Sequence, residues 1–223
     1  MSDFLGDRHA VDIGGLLVGA QRVWIGPRLV LASKSSGRRQ LLEAAGIAFE
    51  IASADVDERA IERAFLGQGG AVEGLAAALS RAKAVEASDR FPNALCLGAD
   101  QVMTLEGEAL HRSPTIEAAR AQMRRLAGRT HKLTSAACIA SDGQSLFEAE
   151  ENAEMTMRPL DDEAIARYFA LAGDAVLASV GGYQIEGLGV HLFETISGDH
   201  ATIVGLPMLA LLAWFRRSGF LAL

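Results

Sequence analysis

A short segment between residues 33 and 39 combines hydroxyl donors with positive charge. It contains Ser33, Ser35 and Ser36, followed by Arg38 and Arg39. A helix start exposes unpaired N–H groups and a partial positive charge, which suits a phosphate. Cations are normally disfavoured there, so two adjacent arginines indicate that an anion neutralises at least one of them. A solvated surface turn with an ordinary serine cap explains the same residues, and the pattern alone leaves both interpretations open.

Carboxylates are concentrated in a second segment, where Asp55, Asp57 and Glu58 fall within four residues. Carboxylate oxygens are ligands that Mg²⁺ prefers. The same three residues could instead cap a helix start and be solvated. A further carboxylate, Asp100, follows the apolar run Leu95–Leu97, and we expect it at or just past the end of a strand. Enzymes of the α/β class often place their chemistry at such a position.

Two cations and one more carboxylate complete the candidate residues. Lys83 lies in the helical, alanine-rich stretch Leu75–Ala87, where most lysines are solvated surface residues. Arg112 precedes Ser113-Pro114, which we interpret as the cap and first residue of a helix over Thr115–Leu126. Glu186 lies in the glycine-rich segment VGGYQIEGLG.

The elements needed to position these residues alternate between strands and helices and then become hairpins. Leu29–Ala32 is predicted to be a buried strand, and Arg38–Ala45 a helix that ends at Gly46. Later segments include a predicted hairpin formed by Val190–Ile196 and Ala201–Val204, and a last helix over Met208–Phe215. This mixture predicts an α/β fold with a mixed, strongly twisted sheet and flanking helices, arranged in two lobes around a cleft.

The composition restricts the class of protein. The chain has 223 residues, half of them apolar, and a formal net charge of −7, so it can bury a full core and no stable nucleic-acid binding is expected. Cys96 and Cys138 lie in apolar runs and predict reduced core residues. No run reaches the ~18 apolar residues of a membrane span, and we expect a cytoplasmic protein without membrane association. Residues 1–27 form a predicted, poorly ordered extension before a single domain over residues 28–223.

Several motifs resemble those of the Maf family of nucleotide pyrophosphatases. They are LVLASKSSGRRQLLEAAGI followed by ADVDE, the SRAKA and GADQV segments, GRTH, and VGGYQIEGLG. Together they cover about Arg28 to Phe215. Three positions depart from the family pattern: Arg112 and Ser179 each replace a lysine, and Glu186 replaces a glutamine. An acceptor-only carboxylate cannot donate as an amide does, which puts in doubt a base preference copied from thymidine- or uridine-triphosphate enzymes.

The resemblance implies the fold of the inosine-triphosphatase-like superfamily. It also implies an enzymatic activity. The implied reaction is hydrolysis of a nucleoside triphosphate, ordinary or modified, to a monophosphate and pyrophosphate, with Mg²⁺ or Mn²⁺ as cofactor and a homodimer as the assembly. The alternative is a non-catalytic, nucleotide-binding regulator of cell division. The implied catalytic residues are Asp100, Glu58 and Lys83, with Glu58 and Asp100 as metal ligands, and the implied substrate-binding residues are Ser33, Ser35, Arg38, Arg112 and Glu186.

Overall fold

The computed structural model describes residues 23–223, in which seven strands form one sheet flanked by seven α-helices. The strands are β1 (Leu29–Leu31), β2 (Glu50–Ile51), β3 (Leu95–Leu105), β4 (Glu108–Leu110), β5 (Thr130–Ser141), β6 (Gln144–Met157) and β7 (Phe193–Ser197). The helices are α1 (Ser36–Ala44), α2 (Glu58–Gly67), α3 (Leu75–Arg90), α4 (Ile116–Leu126), α5 (Asp162–Ala172), α6 (His200–Val204) and α7 (Met208–Arg217). Short 3-10 helices occupy Val72–Gly74, Gly173–Leu177, Val180–Gly182 and Leu188–Leu192.

The sheet is mixed, as predicted. Its order is β2-β1-β3-β5-β6-β7, with β4 paired to β3. Strand β1 runs parallel to both β2 and β3, and the pairs from β3 to β7 are antiparallel. Parallel neighbours need a crossover, which α1 supplies between β1 and β2, whereas the later strands β5 and β6 join through a tight turn at Asp142-Gly143. The predicted α/β class is therefore confirmed.

Two large apolar clusters form most of the core, and β3 contributes to both. Leu95, Leu97 and Ala99, near the start of β3, pack in the cluster that contains α1 and α7. Met103 and Leu105, near its end, pack in the cluster that contains α4 and α5. Asp100 and Gln101 lie between the two parts of β3 that contribute to these clusters. A polar group at this point of β3 is thus held between two packed cores.

The strand, loop and helix predicted at the start of the domain are confirmed. All three residues of β1 are buried, and α1 follows after four residues. Ser35 caps α1, since its hydroxyl accepts a hydrogen bond from the N–H of Arg38. Gly46 ends the helical segment with φ of +69°, a conformation that glycine adopts without strain.

Three local predictions are wrong. Ala201–Val204 is not a strand, because Asp199 caps α6 by accepting from the N–H groups of Ala201 and Thr202. Asp100 does not end a strand but lies in the middle of β3, opposite Ala136. Helix α4 is capped by Thr115, not by Ser113.

The remaining sequence predictions concern the termini and the cysteines. Cys96 and Cys138 are free and buried. No helix within residues 23–223 is both long enough and apolar enough to cross a membrane. Most of the predicted extension, residues 1–22, lies outside the described residues, and the domain boundary at residue 28 stays a prediction. Trp24 is buried in the core beside α7, where it pairs with Leu221.

Candidate active site

All eight residues that the sequence suggested for catalysis or binding line one cavity. Its volume is about 770 Å³, and its walls come from the β1–α1 loop, α2, α3, β3 and the segment around residues 178–186. The structure therefore places these residues together, although they are spread over more than 150 positions of the chain. They are Ser33, Ser35, Arg38, Glu58, Lys83, Asp100, Arg112 and Glu186.

The centre of the cavity is a cluster of one ammonium and two carboxylates. The Nζ atom of Lys83 lies 2.5 Å from Oδ1 of Asp100 and 2.7 Å from Oε1 of Glu58. Lys83 is 7% exposed, so it is not the solvated surface lysine that its alanine-rich helix would suggest. The three groups come from the start of α2, the middle of α3 and the middle of β3.

Close packing of α3 on β3 brings Lys83 to Asp100. Gly98 makes this packing possible, because a Cβ atom there would lie 2.2 Å from the Ser80 carbonyl oxygen and 2.5 Å from the Ala84 nitrogen. Gly98 and Asp100 point to the same face of β3, since side chains in a strand alternate. Gly98 therefore sets the distance between α3 and β3 next to Lys83 and Asp100.

Burial and nearby positive charges shift the pKa of Asp100 in opposite directions. Burial raises the pKa of its carboxyl group, while the positive charges of Lys83 and Arg38 act against that rise. Burial also lowers the pKa of the Arg38 guanidinium from its ordinary value, and Asp100 and Glu58 counteract this effect. A phosphate that enters the cavity would meet the charges of Lys83 and Arg38, which are only weakly screened by water.

Arg38 is anchored to three separate parts of the chain. Its Nε donates to the Gly205 carbonyl at 2.8 Å, and its Nη1 donates to the Ala99 carbonyl at 2.9 Å and to Oγ of Ser33 at 3.0 Å. The Gly205 and Ala99 carbonyls tie α1 to the end of α6 and to β3. Much of the hydrogen-bonding capacity of Arg38 is thus used within the protein, and this explains why a cation is tolerated in the first turn of α1.

In the acidic segment, one residue caps a helix and another lines the cavity. Asp57 caps α2, since its side chain accepts from the Ala60 N–H at 2.9 Å. Glu58 is the first residue of α2 and faces Lys83. The capping interpretation is therefore confirmed for Asp57, and a metal-binding role of Glu58 stays a prediction.

Residues that the sequence analysis missed also line the cavity. Nε2 of Gln101 lies within 3.0 Å of the Ser135 hydroxyl and of the carbonyls of Thr202 and Ile203, so it fixes α6 against β3. Glu62 pairs with His111 at 3.2 Å, and both residues line the cavity. Glu62 follows Glu58 by one helical turn, and this spacing could have indicated a shared face.

Glu58 and Asp100 could hold a small divalent cation together with a bound substrate. No group of three or more His, Cys, Asp or Glu side chains within residues 23–223 could hold a metal by itself. Mg²⁺ usually binds through one or two carboxylates and completes its shell with water and substrate phosphates. Glu58 and Asp100 fit that pattern, and they would hold the ion beside a bound polyphosphate.

Comparison with known proteins decides the family. A family model described as Maf-like protein matches residues 28–218 of the chain. The chain belongs to this family. A 7-methyl-GTP pyrophosphatase of Brucella abortus biovar 1 (strain 9-941) is 49% identical over 190 residues, which cover 85% of this chain and 96% of the relative. A nucleoside triphosphate pyrophosphatase of Rhodopseudomonas palustris (strain HaA2) is 48% identical over 202 residues, which cover 90% and 98%.

Three departures from the motifs lie on the rim and wall of this Maf-like cavity. Arg112 and Glu186 are exposed at the rim, so both can reach a ligand. The Ser179 hydroxyl donates to the carbonyl of Tyr183, so this residue shapes the wall through the backbone. Tyr183 itself is buried, and its hydroxyl lies 2.6 Å from Nε2 of His131. That contact gives His131 a structural partner in the core.

Proposed function

We propose that this Maf-like protein is a nucleoside triphosphate pyrophosphatase that hydrolyses the bond between the α- and β-phosphates. The products are a nucleoside monophosphate and pyrophosphate. One observation carries the proposal: the buried ammonium of Lys83 contacts both Glu58 and Asp100 in the same cavity as the cationic β1–α1 loop. The names of relatives at 48–49% identity support the same reaction.

The cations and hydroxyls of the cavity would bind the polyphosphate. Ser33 and Ser35 offer hydroxyl groups, and Arg38, Lys83 and Arg112 offer charge-assisted hydrogen bonds to phosphate oxygens. Arg112 differs from a lysine at this point because its planar guanidinium can bind two oxygens at once. These contacts would hold the substrate and stabilise the negative charge that develops on the leaving pyrophosphate.

Asp100 is the proposed general base. Its carboxylate lies deep in the cavity, and it would orient the attacking water and accept its proton. Lys83 lies against this carboxylate and would contact the phosphate. Together with Glu58, Asp100 would hold Mg²⁺ or Mn²⁺, which supplies positive charge to the phosphate oxygens when bound.

The relatives named as 7-methyl-GTP pyrophosphatases make a 7-methylated guanine nucleotide the first substrate to test. Methylation at N7 gives the guanine ring a positive charge. Glu186 offers a negative, acceptor-only group at the rim, which suits a cationic base with N–H donors. We therefore propose that Glu186 contacts the base. The homodimer is likewise a proposal, and a light-scattering mass near the 23.6 kDa of one chain would contradict it.

A product analysis tests the reaction. The protein is incubated with Mg²⁺ and a panel of ordinary and modified triphosphates, and nucleotides, phosphate and pyrophosphate are quantified. The proposal predicts one pyrophosphate for each monophosphate formed, and the highest kcat/KM for 7-methyl-GTP. Formation of nucleoside diphosphate and phosphate would contradict it. Tight nucleotide binding without turnover would favour the non-catalytic regulator instead.

A further inference from the structure

The two carboxylates that would hold the cation share one ion-pair partner within the described part of the chain. Both Glu58 and Asp100 pair with the ammonium of Lys83, at 2.7 and 2.5 Å. No other ion pair within residues 23–223 includes either carboxylate. The same oxygen atoms therefore cannot keep the ammonium and bind a divalent cation closely at the same time.

The ammonium can leave this position, although the backbone that carries the side chain is fixed. Helix α3 is pressed against β3 at Gly98, which fixes the backbone at Lys83. The lysine side chain ends in a point charge on a flexible four-carbon stem, so the ammonium can exchange one anionic partner for another. The side chain of Glu58 is 57% exposed, whereas that of Asp100 is 13% exposed, so a cation from solvent has access to the pair from the α2 side.

We propose that Lys83 is an internal counter-ion that competes with the divalent cation for Glu58 and Asp100. In the free protein the ammonium balances one of the two negative charges, and the cation binds weakly. A bound triphosphate supplies a new acceptor for the ammonium and additional oxygen ligands for the cation. Cation and nucleotide therefore strengthen each other's binding, because coupling between two ligands is reciprocal. This inference rests on the proposed function, but its test does not.

Binding of Mn²⁺ to the free protein tests the competition. Free Mn²⁺ is measured by electron paramagnetic resonance during titration of the wild-type protein and of Lys83→Met, without nucleotide. Removal of the ammonium leaves both carboxylates available, so Lys83→Met should bind one Mn²⁺ about tenfold more tightly than wild type, or better. Equal or weaker binding by the folded variant would overturn the proposal.

Arg81→Met is the matched control. Arg81 lies on the same helix, and its guanidinium pairs with Glu148 at 2.7 Å outside the cavity. This variant also removes one positive charge and frees one carboxylate, so it reports any general effect of charge. The proposal expects Arg81→Met to bind Mn²⁺ like wild type. A gain equal to that of Lys83→Met would overturn it.

A Lys83→Met protein that does not fold in buffer would still test the proposal. If Lys83→Met is unfolded in buffer, millimolar Mn²⁺ should restore the native circular dichroism, because the ion replaces the missing positive charge. Failure of Mn²⁺ to restore the fold would overturn the proposal. If Lys83→Met binds Mn²⁺ more tightly but the wild-type protein hydrolyses no triphosphate, the counter-ion role is supported and the proposed function is rejected. If the wild-type protein hydrolyses triphosphates but Lys83→Met binds Mn²⁺ no more tightly, the proposed function is supported and the counter-ion role is rejected.

Discussion

The Nε atom of Arg38 donates a hydrogen bond to the carbonyl oxygen of Gly205, 2.8 Å away and 167 residues later in the chain. This bond joins the start of α1 to the end of α6. We expect Arg38→Lys to lower the free energy of unfolding by about 1–3 kcal/mol, because an ammonium cannot reach Gly205, Ala99 and Ser33 together. Chemical denaturation measures this loss, and kcat/KM should fall at least tenfold with it.

Arg39→Lys is the control for that prediction. Arg39 is exposed and lies 3.6 Å from Glu43 on the outer face of α1. Its replacement should change the free energy of unfolding by less than about 0.5 kcal/mol. Equal stability of Arg38→Lys and Arg39→Lys would show that the buried contacts of Arg38 do not anchor the loop.

Gly98→Ala should damage both stability and activity. The added Cβ would overlap with the Ser80 carbonyl and the Ala84 nitrogen, which are backbone atoms that cannot turn aside. Helix α3 must then shift, at a cost of about 1–3 kcal/mol, and Lys83 moves away from Asp100. Thermal unfolding and pyrophosphate release measure the two effects. Gly67→Ala, where no atom lies within 4 Å, should leave both unchanged, and a Gly98→Ala protein that behaves in the same way would refute the packing argument.

His131 should make the protein less stable in acid. Its ring is 1% exposed, and burial lowers its pKa from 6.5 to about 4. Nε2 of His131 lies 2.6 Å from the Tyr183 hydroxyl, while Nδ1 has no hydrogen-bond partner within the described chain. The folded protein thus favours the neutral ring.

The sign of the pH effect follows from that shift. Between pH 6.5 and about 4 the unfolded chain binds more protons at this residue than the folded chain does, so stability falls as the pH falls. The loss contributed by His131 is about 3 kcal/mol across this window. Denaturation at pH 7 and pH 4 should show a smaller difference for His131→Gln than for wild type. His191→Gln, an exposed histidine, should keep the wild-type difference, and equal slopes in all three proteins would contradict the assignment.

Glu186→Gln tests the proposed contact to the base. The amide keeps the size of the side chain but removes its charge and adds donors. The ratio of kcat/KM for 7-methyl-GTP to kcat/KM for UTP should fall about tenfold or more, because the acceptor for the base N–H groups is weakened. Glu194→Gln, a change on the exposed strand β7, should leave the ratio unchanged. An unchanged ratio in Glu186→Gln would exclude a role in base preference.

The sequence predicted local elements better than it predicted their ends. Leu29–Gly46 folds as expected because an apolar run, a serine cap and a helix-ending glycine all favour the same structure. Ala201–Val204 was mistaken for a strand because its short apolar run carries no period, and the capping carboxylate of Asp199 determines the helix. Asp100 was expected at a strand end because the long pairing of β3 with β5 depends on residues far away in the chain.

The candidate site was predictable as a set of residues but not as a geometry. Motif resemblance named eight of the residues that line the cavity. It could not show that Lys83 is buried between two carboxylates, since that depends on the packing of three elements around Gly98. Nor could it show that Gln101 ties β3 to α6, because the partners of its amide lie more than thirty residues away.

The central claim is that Asp100 activates water for cleavage of the α–β phosphate bond, and Asp100→Asn tests it most directly. The amide has nearly the same shape but accepts no proton, so kcat for pyrophosphate release with Mg²⁺ should fall about 10²- to 10⁴-fold. Circular dichroism and thermal unfolding verify that the variant is folded. We predict that wild type releases pyrophosphate and nucleoside monophosphate in equal amounts and that folded Asp100→Asn releases almost none. A folded Asp100→Asn protein with wild-type kcat would contradict the account.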